Sequence, residues 1–125
     1  MLSSFDPGAL LSRSYELPRG PRVRLRLARP GDGRAIRGLL AQRGIDPEEL
    51  ELTRLLHSDP RHRVVICATA LVGSVETIVG LGAIDVEATD PDTLVVDERL
   101  TDGLGDLLMA ALAGRAAAIA GSRAA

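Results

Sequence analysis

Alternating apolar and charged residues predict a strand early in the chain. In Val23–Leu27 the apolar side chains recur at every second position, the period of a β-strand with one solvated face. Arg22, Arg24 and Arg26 share the other face. Such a row is more typical of a solvated sheet edge than of an anion site, so we interpret these arginines as surface residues.

Helical spacing replaces the alternation after Pro30-Gly31-Asp32. The apolar residues between 35 and 40 lie three and four positions apart, which predicts a helix capped by Asp32 and ended by Gly44. A second helix is predicted to open at Asp46-Pro47, because an aspartate cap and a proline precede acidic residues of a first turn. Its apolar positions are Leu50, Leu52, Leu55 and Leu56.

The apolar stretch Val64–Ile84 has two interpretations. It is about long enough to span a bilayer, but Glu76 inside it would cost a few kcal/mol there. Val72-Gly73-Ser74 is a turn signal flanked by β-branched residues, which is typical of a hairpin. We therefore predict two buried strands, near His62–Ala70 and Glu76–Val86, rather than a transmembrane helix.

A short strand followed by a glycine-containing helix start is predicted near the end of the sequence. Leu94–Val96 is an apolar run of strand length, and the last helix is predicted from about Gly103 to Ala120. Gly103 and Gly105 let a ligand approach the backbone where the first amides of a helix lack partners. With the helix dipole, the amides of Gly103–Asp106 suit an anion such as a pyrophosphate.

The predicted elements follow the order β-α-α-β-β-β-α, which indicates an α+β fold. We divide the chain into an irregular N-terminal arm, 1–20, and a single domain, 21–125. Within the arm, Gly8–Tyr15 is predicted to form a short helix. A chain of 125 residues is long enough for one compact domain.

Composition narrows the classes of function. Aromatic residues make up only 2% of the chain and the net charge is −2, which argues against a nucleic-acid partner, since such proteins need stacking rings or a basic surplus. The absence of lysine excludes a lysine Schiff base. Cys67 is the only cysteine, and the first six residues lack the pattern of a secretory signal. We therefore expect a cytoplasmic protein without a membrane partner.

The order of the elements resembles that of the GNAT superfamily of acyl-CoA-dependent N-acetyltransferases. Two segments carry the resemblance most directly: Leu27–Asp32, where an Arg-Pro closes the first strand, and Leu94–Leu108, where a strand leads through a glycine turn into a helix. The resemblance covers roughly Val23–Ile119. It implies a GNAT-like fold, with a mixed, mainly antiparallel sheet and helices on both faces, and the transfer of an acetyl group from acetyl-CoA to an amine.

The resemblance also implies a coenzyme site. In this family the strand before the glycine turn lines the pantetheine arm, and the amides of the turn hold the pyrophosphate. Leu100 and Asp102 stand where the family commonly has an Arg or Gln and a basic residue, so the phosphate motif is degenerate and binding depends on backbone amides. The implied residues for acetyl-CoA or coenzyme A are Val95, Val96, Gly103, Leu104, Gly105 and Asp106.

The resemblance extends over the coenzyme-binding half of the family's fold, which continues with further strands and a helix. An exposed edge at Leu94–Val96 would accept a strand from a second chain. We therefore expect a homodimer that completes the sheet.

Acyl transfer to an amine needs a base for the ammonium proton and a donor to the thioester oxygen. By resemblance, the donor is the amide of Val95 or Val96. Asp85 and Glu87 are the candidate bases because they lie two residues apart at a strand end, although a polar strand end is the simpler interpretation.

The remaining polar residues are interpreted as structural, and no metal site is expected. Two functions stay open. One is an N-acyltransferase with a small-molecule or peptide amine as acceptor, and the other is a non-catalytic GNAT-like module acting through dimerisation or a partner chain. The residues interpreted as structural are the loop residues Asp90 and Asp92, the solvated turn Asp97-Glu98-Arg99, the surface histidines His57 and His62, and Cys67 as a buried small hydrophobe.

Overall fold

The computed structural model describes residues 13–18 and 21–124 of the chain. They form a five-stranded sheet, three α-helices and two short 3-10 turns. The strands are β1 (Ser14–Glu16), β2 (Arg22–Leu27), β3 (Arg63–Val72), β4 (Val75–Asp85) and β5 (Thr93–Val96). The helices are α1 (Gly33–Gln42), α2 (Glu49–Leu56) and α3 (Thr101–Ala124), and the turns are Pro30–Asp32 and Glu98–Leu100.

Every pair of neighbouring strands is antiparallel, and the spatial order β1-β2-β3-β4-β5 follows the chain. The predicted α+β fold with an antiparallel sheet is confirmed at this level. β3 and β4 are joined at Gly73, whose φ of +67° is a left-handed conformation suited to glycine. The stretch Val64–Ile84 is therefore two strands, as predicted.

Helix α3 packs across one face of the sheet, referred to below as the α3 face. Its Leu104, Leu108 and Leu112 are fully buried against apolar side chains of β2, β3 and β4. Two glycines in β4 allow this close packing. A Cβ built on Gly80 would lie 2.9 Å from Leu108 Cδ1, and one built on Gly82 would lie 2.6 Å from Leu112 Cδ1.

Helices α1 and α2 cover the opposite face, referred to below as the α1/α2 face. Ile36, Leu39 and Leu40 of α1 and Leu52 of α2 are buried there against the sheet. Helix α1 ends at Gln42, and Gly44, the residue predicted to end it, follows two residues later with a φ of +74°. The next amide, that of Ile45, donates to the Leu40 carbonyl at 2.8 Å. The sheet side of this core consists of Val65, Cys67, Ile78, Leu81 and Ala83.

A bulge in β4 changes which residues face each helix layer. Ala68 of β3 pairs with Gly80, but the next β3 residue pairs with Ile78, which leaves Val79 as an extra residue. Val79 and Gly80 consequently both face α3, whereas Ile78 and Leu81 both face the α1/α2 side. The continuous apolar run gave no sign of this shift.

The N-terminal region differs from the prediction. Ser14 and Tyr15, expected at the end of a short helix, belong to β1 and pair with β2. Arg13 of the predicted helix precedes β1 without regular secondary structure, and residues 8–12 lie outside the described residues. Tyr15 and Leu17 also pack onto the core of the α3 face. Part of the stretch expected to be an irregular arm thus belongs to the sheet.

The first residues of two helices also differ from the predicted ones. Helix α2 begins at Glu49, after the extended residue Glu48, and so two residues later than the cap-and-proline pattern indicated. Helix α3 begins at Thr101 instead of Gly103 because it continues directly from the 3-10 turn before it.

Asp32 does not cap α1 with its side chain, contrary to the prediction. Its carboxylate accepts two hydrogen bonds from the Arg26 guanidinium, at 2.8 and 2.9 Å, and one from the Arg29 amide at 2.7 Å. The hydrogen bonds from Arg26 are the main reason that the pKa of Asp32 is lowered. Arg26 is therefore a half-buried structural residue and not a solvated one, whereas Arg22 forms an exposed ion pair with Glu16.

Candidate functional site

Strand β5 has one side free of pairing among the described residues, since its only neighbour in the sheet is β4. The amide of Asp97, directly after β5, donates to the Val79 carbonyl of β4 at 2.8 Å. Antiparallel pairing alternates, so Val95 also directs its amide toward β4 while Leu94 and Val96 direct theirs outward. Of the two amides predicted as donors, the register therefore leaves that of Val96 available.

The turn after β5 is organised by a buried carboxylate. Asp97 is only 3% exposed, contrary to the expectation of a solvated turn. It accepts hydrogen bonds from the Arg99 amide at 2.9 Å, from Arg99 Nε at 3.0 Å and from Arg99 Nη2 at 2.9 Å. Gln42 Nε2, at the end of α1, donates to it at 3.3 Å. These bonds, led by those from the Arg99 side chain, hold the pKa of Asp97 far below its ordinary value.

The start of α3 contains the two predicted glycines in different environments. Gly103 has a φ of +87°, and a Cβ on it would lie 3.3 Å from Pro18 Cδ. Gly105 has no atom within 4 Å of the Cβ position and faces open space. The helix begins at Thr101, directly after the 3-10 turn Glu98–Leu100, so the amides of Gly103 and Leu104 lie in its first turn and those of Gly105 and Asp106 in the next.

A cavity of about 650 Å³ lies on the α1/α2 face. That volume is within the range of small-molecule sites, roughly 300–1,000 Å³. The apolar lining comes from α1, α2, the segment between them, β4 and β5, and polar side chains complete it. The apolar residues are Leu40, Ile45, Pro47, Leu52, Leu55, Leu81, Leu94 and Val95, and the polar ones are Glu51, Arg54, Ser58, Arg63, Asp92 and Thr93.

Arg63 closes one side of this cavity with two carboxylates. Its Nη1 and Nη2 donate to both oxygens of Asp92, at 2.6 and 2.7 Å, and Nη1 also donates to Asp85 Oδ1 at 2.9 Å. Asp92 accepts a further bond from the Thr93 hydroxyl at 2.8 Å. The hydrogen bond with Asp92 is the main cause of the raised pKa of Arg63, and in turn the Arg63 bond lowers the pKa of Asp92.

The two predicted bases do not line the cavity. Asp85 lies at its edge, where its Oδ1 accepts a hydrogen bond from Arg63 Nη1 at 2.9 Å. Glu87 is exposed in the turn that follows β4. The structure thus places both at the predicted sheet end, and it brings Asp85 into a cluster with Arg63 and Asp92.

The other candidates have structural environments. Cys67 is fully buried, and burial raises the pKa of its thiol to about 12, so it is a small apolar core residue as predicted. His57 is the exposed residue that ends α2, and His62 Nε2 lies 3.7 Å from Asp59 Oδ2. The described residues contain no group of three or more side chains arranged to hold a metal ion.

Sequence reasoning missed several polar residues of the cavity. Arg63 and Asp92 come from segments separated along the chain, and only the β3–β4–β5 register brings them together. Glu51 and Arg54 lie three residues apart on α2. This spacing predicts that they share one face of the helix, but it does not predict what that face contacts. Asp97 carried a signal in its spacing to Arg99, because an aspartate commonly accepts from the amide two residues on.

One described helix, α3, is long and apolar enough to be a candidate membrane span. The candidate span covers Gly103–Ser122 and has a mean hydropathy of 1.4, and 28% of its 18-residue apolar stretch is buried. Core helices of globular domains have the same character, and α3 packs on the sheet through Leu104, Leu108 and Leu112.

Comparisons with models of known protein families, with curated proteins and with solved structures found no match. The arrangement of the chain's own residues is therefore the basis for any functional assignment.

Proposed function

We propose that this chain is a GNAT-like N-acyltransferase that moves an acetyl group from acetyl-CoA to an amine. The observation that carries the proposal is the outward-facing amide of Val96 on the unpaired side of β5, directly before a helix start with glycines at 103 and 105. A free strand amide and early helix amides in succession offer donors for a thioester oxygen and for a phosphate.

The residues around the helix start fit a coenzyme in part. The space at Gly105 allows close approach of a bulky ligand. The amides of Gly103 and Leu104 lie in the first turn of α3, where the helix dipole favours an anion. Leu100 supplies no charge, so binding depends on these amides, together with the exposed guanidinium of Arg99 held by Asp97.

The cavity on the α1/α2 face is the proposed acceptor site, because it reaches β5 at Leu94 and Val95, next to the Val96 amide. In the reaction the amine nitrogen bonds to the acyl carbon, the carbon–sulfur bond breaks, and the sulfur takes up a proton. The amine's own proton passes to a carboxylate or to water. Asp85 acts as the base only if its contact with Arg63 opens, since its Oδ1 accepts a hydrogen bond from Arg63 Nη1 at 2.9 Å.

A thermal-shift titration with acetyl-CoA tests the proposal. A ligand at a hundred times its dissociation constant adds about 2.7 kcal/mol to the free energy of unfolding. We expect a clear rise in Tm at millimolar acetyl-CoA and loss of that rise in Gly105→Trp. Gly121→Trp is the matched control, because it places the same side chain in open space at the far end of α3.

An unchanged Tm with acetyl-CoA would contradict the proposal. A rise that persists in Gly105→Trp would place the coenzyme elsewhere on the molecule. A rise in Tm without acetylation of any amine tested would remove the catalytic role and leave coenzyme binding.

The second candidate function is a non-catalytic module that pairs with another copy of the chain through β5. The exposed side chain of Leu94 and the outward amides of Leu94 and Val96 favour it. Light scattering tests it through two proline variants. Val96→Pro removes an outward donor and should give a monomer that stays folded, whereas Val95→Pro removes a donor to β4 and should lower Tm. A monomeric wild-type chain would exclude this pairing.

A further inference from the structure

Helix α2 covers its part of the sheet loosely. Besides the 650 Å³ cavity, two smaller ones of about 400 and 230 Å³ adjoin the helix on its other sides. Among the α2 side chains that the structure describes, only Leu52 is buried. Leu55 is shared by the largest cavity and the smallest one. An occupant beneath α2 thus meets apolar side chains that the protein's own packing leaves partly uncovered.

The large cavity combines an apolar floor with an acidic mouth. Leu52, Leu55, Leu81 and Val95 form part of the floor. Carboxylates outnumber guanidinium groups around the mouth, three to two. The carboxylates are Glu51 and Asp92 in the lining and Asp85 on Arg63, and the guanidinium groups are those of Arg54 and Arg63.

The distribution of these charges favours a cation over an anion. Arg63 directs its donors to Asp85 and Asp92, so this cluster carries a net negative charge. Among the described residues, neither Glu51 nor Arg54 has an ion-pair partner within 4.0 Å. A ligand ammonium group at the mouth would meet an excess of carboxylates, while a carboxylate ligand would meet repulsion.

We propose that this cavity binds amphipathic amines, with the apolar body of the ligand beneath α2 and its ammonium group at the mouth near Glu51. The apolar body displaces water from the leucine-lined floor, and the charge remains partly solvated at the rim. The role of this ligand as acyl acceptor rests on the proposed function. Its binding does not, because the cavity lies on the α1/α2 face and is complete without a coenzyme.

Three ligands that share one apolar body test the charge preference: n-hexylamine, hexanol and hexanoate. Each is titrated in the absence of acetyl-CoA into ¹⁵N-labelled full-length protein, and amide shifts are followed by NMR. We expect shifts centred on Leu52, Leu55, Leu81 and Val95, with binding in the order hexylamine, hexanol, hexanoate. Equal or tighter binding of hexanoate would overturn the proposal, as would shifts confined to α3 or no shifts with hexylamine.

Two variants separate the charge from the apolar contact. Glu51→Gln should weaken hexylamine binding about three- to fivefold and leave hexanol binding unchanged, since it removes one partly solvated carboxylate. Ile45→Ser should weaken both ligands and is tolerated because Ile45 is 42% exposed. Glu76→Gln is the control, because this exposed carboxylate lies on β4 outside the cavity.

If Glu51→Gln binds hexylamine as the wild type does, the charge preference assigned to this cavity is wrong. The result is independent of the coenzyme site. Hexylamine binding without any response to acetyl-CoA would support the amine site and reject the transferase. A response to acetyl-CoA without hexylamine binding would support the transferase and reject the amine site.

Discussion

Arg63 and Asp92 face each other through two parallel hydrogen bonds, Nη1 to Oδ2 at 2.6 Å and Nη2 to Oδ1 at 2.7 Å. This bidentate pair connects the start of β3 to the residue before β5, across the intervening strand β4. The side chain of Arg63 is 23% exposed, so water screens the pair less than it would screen an ordinary surface pair. The pair therefore fixes the edge of the cavity where β5 begins.

Arg63→Gln should raise the pKa of Asp92 toward its ordinary value. The hydrogen bond from Arg63 is the main cause of the lowered pKa, and the Thr93 hydroxyl supplies a smaller contribution that the variant retains. A ¹³C carboxyl titration by NMR measures this. Asp59, whose pKa is lowered by its bonds to Arg61, is the internal control and should titrate unchanged.

The same pair implies a dependence of stability on pH. Asp92 has a folded pKa below its unfolded value, so its stabilising contribution is complete above about pH 4 and is lost as the pH falls through the folded pKa. Below pH 4, Arg63→Gln should therefore lose less of its unfolding free energy than the wild type. A variant with the wild-type acid dependence would contradict the assignment.

Asp97→Asn should destabilise the fold by about 2 kcal/mol, since hydrogen bonds to a charged group contribute about 1.5–3 kcal/mol. The carboxylate is buried, and it joins the end of α1 to the turn before α3 through Gln42 and Arg99. Urea unfolding measures the change. Glu98→Gln is the neighbouring control, because its ion pair with Arg43 is exposed and 3.6 Å long, and the expected effect is below about 0.5 kcal/mol.

The Asp97 effect should also depend on pH. Its folded pKa is far below the unfolded value, so the difference between wild type and Asp97→Asn is full above about pH 4 and shrinks in more acidic solution. A difference that stays constant down to pH 2 would mean that the charge of Asp97 contributes little.

Much of the fold was predictable because it depends on short-range patterns. Alternation identified β2, helical spacing with Gly44 identified α1, and the turn at Gly73 separated β3 from β4. The start of α2 was misplaced because the Asp46-Pro47 pattern is only a local preference. The segment remains extended through Glu48, whose backbone lies in the β region.

The site was less predictable because its polar residues act across long separations. Asp32 matched a helix cap by position, yet the Arg26 side chain from the preceding strand offered its carboxylate two charged donors. Asp92 looked like a loop residue because Arg63, its partner, lies 29 residues away along the chain. Such pairings cannot be predicted from the local sequence, because they depend on the strand register.

Gly80→Ala should destabilise the fold by about 1–3 kcal/mol through overpacking. The new methyl group would lie 2.9 Å from Leu108 Cδ1, 3.3 Å from Ala68 Cβ and 3.4 Å from Leu104 Cδ2, all buried. Gly38→Ala is the matched control in open space on α1, and it should stabilise the helix by about 0.5–1 kcal/mol. Equal effects of the two variants in urea unfolding would refute the close packing of α3 on β4.

Gly103→Ala should cost about 1–2 kcal/mol, because its φ of +87° disfavours a side chain and the methyl group would approach Pro18. Gly105→Ala, two residues along the same helix and in open space, should be neutral or stabilising. Comparing the two by thermal unfolding tests whether α3 begins at Thr101 with an irregular first turn. A stabilising Gly103→Ala would instead mean a regular helix there.

The extra residue Val79 interrupts the alternation of side chains between the two faces of β4 in the β3–β4 hairpin. Between Val79 and the turn, the face of each β4 residue follows the strand alternation only if Val79 is left out of the count. Deleting Val79 would restore an uninterrupted ladder in which Ile78 stays opposite Thr69 and in the α1/α2 core, while the α3 core would lose the buried Val79 side chain. Loss of this one residue would thus remove a buried side chain from the α3 core without exchanging the two faces of β4, whereas deletion of Ser74 would shorten the two-residue connection between Val72 and Val75 and force the paired strand ends to readjust.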